Sequence, residues 1–142
     1  PWVLKLTQVV GEPGEDIVLI SHSLGGPTIM RYLETLDETQ KIGGVVMVAS
    51  YIDNLGFEEL DSFFQTPFNY EKMKRVCSKF VVIHSDDDPY VDLKYGEFFK
   101  KTLGAELVVI PGGKHFSGAI EGEESCTEFP EALEAVRSIL SK

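Results

Sequence analysis

Between Ile17 and Leu36 the chain runs apolar strand, tight turn and helix without a break, and this succession restricts the fold more than any other stretch of its 142 residues. Ile17-Val18-Leu19-Ile20 is a continuous apolar run, as expected of a parallel strand buried on both faces. Ile29, Met30, Leu33 and Leu36 then recur at helical spacing, after a Pro27 suited to a first helical turn. Between strand and helix lies Ser21-His22-Ser23-Leu24-Gly25. A serine on a sharp strand-to-helix turn has a strained backbone, so the residues two before and two after it must be small. Here they are Gly25 and Ser21, the latter standing where such turns usually carry glycine, and Gly26 permits close backbone approach. The motif marks Ser23 as a candidate nucleophile, with a simple helix cap as the structural alternative.

Three further runs, Val45-Val46-Met47-Val48-Ala49, Phe80-Val81-Val82-Ile83 and Leu107-Val108-Val109-Ile110, are short, rich in β-branched residues and far enough apart for crossover helices. They predict an α/β fold of about four strands, mostly parallel, with helices on both faces. Asp92 to Leu103 reads as one connecting helix, with Leu93, Phe98 and Phe99 on its buried side and Gly104 as its stop. Pro130 opens a closing helix with Leu133, Val136, Ile139 and Leu140 on its apolar side. The whole of residues 1–142 is the size of one domain. Residues 54–77 form an excursion weighted with Phe57, Leu60, Phe63, Phe64 and Phe68, which could cap an acyl-binding pocket or simply cover core.

Parallel sheets bind ligands at the carboxyl ends of their strands, so an acid and a base are expected after later strands. His84-Ser85-Asp86-Asp87-Asp88-Pro89 follows the third run, and Pro111-Gly112-Gly113-Lys114-His115-Phe116 follows the fourth. His115 can take the Ser23 proton, and any of Asp86, Asp87 and Asp88 can orient the imidazolium. The order serine, aspartate, histidine is that of α/β-hydrolases. The aspartates not used for this are expected to turn their loop through bonds to backbone. His22 is expected to pack beside the turn and His84 to end its strand, since neither has a partner at zinc-ligand spacing. Calcium loops spread their ligands more widely than residues 86–88 do, so neither metal nor cofactor is implied.

Net charge is −10, with Glu121, Glu123, Glu124, Glu128, Glu131 and Glu134 crowded near the end as a solvated helix face and its leading loop. This charge repels nucleic acid and anionic membranes, and no apolar stretch reaches membrane-spanning length. Cys77 and Cys126 are too few for a disulfide framework and fit a reducing cytoplasm, one bridge being the alternative. Cys126 has no strained turn around it to serve as a nucleophile, and Glu124 stands where an L-x-C-x-E peptide needs leucine.

The strained turn, the Asp87-Asp88-Pro89 loop, the Gly113-Lys114-His115-Phe116 loop and the segment Thr127-Glu128-Phe129-Pro130 carry a resemblance over nearly the whole chain. It resembles the small α/β-hydrolases of the retinoblastoma-binding protein nine and YdeN type, single-domain serine hydrolases without a large lid. The resemblance implies an α/β-hydrolase-like three-layer sandwich with Asp88 as the acid and His115 as the base, 27 residues apart. It also implies strands and an oxyanion loop ahead of Pro1, so the chain is expected to lack its N-terminal segment. The edge of the first strand is then covered by that segment, by a partner chain or by a second copy. The expected activity is hydrolysis of small carboxylic esters through an acyl-enzyme, with peptides or amides as another substrate class and a non-catalytic binding domain as the alternative. The Leu24 N–H is the readable oxyanion donor, a second donor is missing from the chain, and Phe57, Phe63 and Phe64 are the candidate substrate contacts.

Overall fold

The computed structural model describes residues 1–118 and 126–141. Helix α1 (Trp2–Val10) leads to β1 (Val18–His22), α2 (Gly25–Thr35) and β2 (Gly44–Val48). A 3-10 helix (Glu58–Phe63) and α3 (Tyr70–Val76) precede β3 (Phe80–Ser85), and α4 (Lys94–Leu103), β4 (Glu106–Ile110) and α5 (Pro130–Leu140) complete the order. The four strands lie in chain order, β1-β2-β3-β4, every neighbouring pair parallel.

The central strands earn their place by composition: all five residues of β2 and all six of β3 are buried, as apolar runs covered on both faces must be. α1 to α4 lie on one face of the sheet, α1 against α2, and there Leu33, Met73, Phe99 and Leu103 pack with Leu19, Val45, Met47 and Val82. The opposite face, formed by Val46, Val48, Val81 and Ile83, is covered by α5 through Ala135 and Ile139. The result is the three-layer α/β-hydrolase-like sandwich. Gly104 ends α4 in the left-handed conformation, φ 67°, which a residue without Cβ adopts at little cost.

Three expectations need correction. β1 is not buried on both faces, because it is an edge strand here and Ile20 is 55% exposed. On α4 the fully buried residues are Tyr95, Gly96, Phe99 and Leu103, whereas Leu93 precedes the helix and Phe98 is half-buried. On α5, Leu133 and Leu140 are exposed, since a single helix on that face buries only a narrow stripe. Glu128, Glu131 and Glu134 are exposed as expected, and Glu121, Glu123 and Glu124 lie outside the described residues. Both cysteines are free thiols, with burial pushing Cys77 up to about 11. Among the described residues no helix is long and apolar enough to cross a membrane.

Candidate active site

Ser23 sits between the last residues of β1 and the first of α2 with a φ of 53°, a left-handed conformation that strains any residue with a Cβ. The strain is held from both sides. Its N–H donates to the Val48 carbonyl at 2.8 Å, and its own carbonyl accepts from Gly26 at 3.0 Å. The small flanking residues are needed because they meet each other: a Cβ on Gly25 lies 2.9 Å from the Ser21 Cβ. A Cβ on Gly26 falls 1.7 Å from the Ser50 hydroxyl, so β2's end loop can lie against the turn only over glycine. Ser21 replaces the usual glycine and keeps its hydroxyl buried without a partner among the described residues.

Non-glycine residues with left-handed backbone recur in the loops at this carboxyl edge of the sheet: Ala49 and Leu55 after β2, Lys114 and Phe116 after β4. Strain of this kind persists only where the surroundings over-determine it. The aspartates do much of that. Asp86 accepts the Gly112 N–H at 2.9 Å and Asp87 the Lys114 N–H at 2.8 Å, so both bind the neighbouring loop rather than turning their own as expected. The Ser85 hydroxyl donates to the Lys114 carbonyl.

Asp88 is arranged differently. Its Oδ1 accepts the backbone N–H groups of Tyr90 and Val91 at 2.8 and 3.0 Å, leaving Oδ2 directed at His115 Nδ1, 2.8 Å away. Burial alone raises this carboxyl, but the His115 hydrogen bond and the two backbone donors outweigh it and hold the pKa below the usual carboxylate value. His115 Nε2 lies 3.1 Å from Ser23 Oγ. A carboxylate that accepts from Nδ1–H leaves Nε2 as the acceptor for the serine hydroxyl. The three side chains form one chain of hydrogen bonds from β1, β3 and β4. Of the three candidate acids, Asp88 is the one whose carboxylate meets the His115 ring at Nδ1.

A cavity of about 260 Å³ opens on Ser23 and His115, lined also by Tyr51, Leu55, Phe57, Leu60, Tyr90 and Ser117. Phe57 is there as expected; Phe63 and Phe64 are not. Phe63 packs edge-on against Trp2 and Phe64 lies against Tyr51 and Phe68, because the 3-10 helix turns them toward α1 and the core. The sequence offered no sign of Tyr51, whose hydroxyl is pushed up by burial and pulled back by a hydrogen bond to Ser23. Leu24 is the N-cap of α2, where first-turn N–H groups lack acceptors in the helix. His84 is wholly buried at the end of β3 with neither ring nitrogen partnered among the described residues, and burial lowers its pKa to about 4.

A family model described as serine hydrolase matches residues 1–137. The chain belongs to the serine hydrolase family. This serine hydrolase is 31% identical over 142 residues to the putative hydrolase YdeN of Bacillus subtilis strain 168, covering 99% of this chain and 73% of YdeN. It is 30% identical over 129 residues to the serine hydrolase RBBP9 of Rattus norvegicus, covering 89% of this chain and 63% of that protein. The crystal structure of the B. subtilis ydeN gene product superposes with a TM-score of 0.85 over 98% of this chain and 72% of that one. Two of the four segments that suggested the family are in contact in this serine hydrolase: Phe116 and Phe129 pack edge to face, ring centroids 5.1 Å apart.

Proposed function

We propose that this hydrolase cleaves small carboxylic esters, with Ser23 as nucleophile, His115 as general base and acid, and Asp88 holding the imidazole. The observation that carries the reading is the pair of bonds at 3.1 and 2.8 Å that joins the three side chains in series. Ser23 Oγ bonds to the acyl carbon while its proton passes to His115 Nε2. The carbonyl oxygen gains negative charge and is met by the Leu24 N–H, and the alcohol leaves with the proton from Nε2. Water then repeats the sequence, releasing acid and free serine. A cavity of about 260 Å³ with Leu55, Phe57 and Leu60 in its walls favours short apolar acyl groups, and makes residues 54–77 a wall of the substrate site. The net charge of −10 favours neutral or cationic small substrates over nucleic acid. Two free thiols favour a reducing, cytoplasmic setting.

A fluorophosphonate probe tests the reading together with p-nitrophenyl acetate. The expected result is stoichiometric labelling and ester turnover, both abolished by Ser23→Ala. Absence of labelling in a folded wild-type chain overturns it in favour of a binding domain.

A further inference from the structure

We propose that His22 is a positioning residue that sets the backbone of the base relative to the nucleophile. The inference rests on the hydrolase reading above and concerns a side chain which that mechanism does not use. His22 is the last residue of β1, and its Nε2 lies 2.7 Å from the backbone carbonyl oxygen of His115. A carbonyl only accepts, so Nε2 carries the hydrogen and donates it. The two imidazole rings sit 4.8 Å apart, tilted by 52°.

Two features lift this bond above an ordinary surface contact. The residues on either side of His115, Lys114 and Phe116, have φ values of 50° and 54°, so the base is carried on backbone that relaxes unless it is held. The bonds from Ser85, Asp86 and Asp87 hold that loop upstream of the base, at Gly112 and Lys114, and all come from β3 and its loop. His22 instead grips the base at its own carbonyl, from the strand that carries Ser23. Since His22 and Ser23 are joined by one peptide bond, the contact gauges the distance from base to nucleophile directly. Asp88 sets the ring through Nδ1, and His22 sets the backbone behind it. Displacement of a reacting group by even an ångström can cost on the order of 10²-fold in rate.

The side chain of His22 is exposed, so its removal leaves no cavity in the core. The test measures the phosphonylation rate of Ser23 and the turnover of p-nitrophenyl acetate per titrated serine, together with melting temperature, in wild type, His22→Ala and His22→Gln. His22→Ala is expected to slow both reactions about tenfold through kcat, with KM within twofold and the melting temperature unchanged. His22→Gln, whose amide nitrogen reaches the Nε2 position, is expected to recover to within threefold of wild type. Equal rates in wild type and His22→Ala overturn the positioning role, as does a loss confined to KM or one that glutamine leaves unrepaired. A lowered melting temperature with unchanged turnover per serine assigns the contact to folding alone and overturns it too. A wild-type chain that the probe does not label overturns the hydrolase reading itself, which keeps the two failures distinct.

Discussion

Asp86, Asp87 and Asp88 are consecutive carboxylates with two different tasks, and the difference is one of partners rather than chemistry. The first two hold backbone N–H groups of the opposite loop, while the third divides its oxygens between its own loop and the His115 ring. Asp88→Asn is therefore expected to cut kcat by roughly 10³–10⁴-fold, because an amide at this point no longer fixes the Nδ1–H tautomer. Asp87→Asn keeps a carbonyl for Lys114 N–H and is expected to stay within about tenfold of wild type. Steady-state kinetics on the two variants, with circular dichroism to check folding, decides it; the reverse ranking would move the acid to Asp87. Ser23 and His115 were legible in the sequence because each follows a strand run by a few residues, whereas position left Asp86, Asp87 and Asp88 open and the family resemblance singled out Asp88. The His22 bond to His115 was not, since it joins positions 93 apart and neither residue type announces it.

At the scale of elements, the excursion between β2 and β3 is tied down by one side chain of α2. Arg31 donates to the carbonyls of Phe63, Thr66 and Pro67, pairs with Glu34 at 2.9 Å, and lies 3.9 Å from the centre of the Phe68 ring. Glu34 in turn accepts the Asn69 N–H. The helix that opens beside Ser23 thus also sets the start of α3. Arg31→Ala is expected to cost about 2 kcal/mol, combining lost charge-assisted bonds with lost packing over Phe68, and to raise KM more than it lowers kcat. Urea denaturation and limited proteolysis within residues 54–69 measure this; unchanged cleavage there rules the clamp out. The order of the four strands and of α2, α4 and α5 was readable from periodicity, with bounds within two residues of those observed, whereas the 3-10 helix and α3 inside residues 54–77 were not. The turn of Phe63 and Phe64 away from the site was not readable, because an aromatic run has no period that names its neighbour.

For the molecule as a whole, the buried His84 links stability to pH. Its folded-state pKa lies near 4 against an ordinary 6.5, so the unfolded chain binds the proton more readily and stability falls as pH drops through that window. The loss expected between pH 7 and pH 5 is about 2 kcal/mol. His84→Leu, which sacrifices no hydrogen bond to any of the described residues, is expected to flatten this dependence while matching wild type at pH 7. Denaturant titrations at the two pH values test it, and an equal slope in both proteins refutes the assignment. Asp88 acts in the same direction only at lower pH, below its ordinary carboxylate range.

Strand order and chain order coincide across the sheet. Each strand therefore finds its partner in the one synthesised just before it, so β1, β2 and β3 can assemble progressively as a growing chain emerges. Ser23 and Asp88, the proposed nucleophile and acid, then flank strands already assembled. The proposed base His115 follows β4 and arrives later. On that proposal the hydrogen-bonded series closes in a single late step, when β4 docks beside β3, and intermediates short of it hold Ser23 without His115.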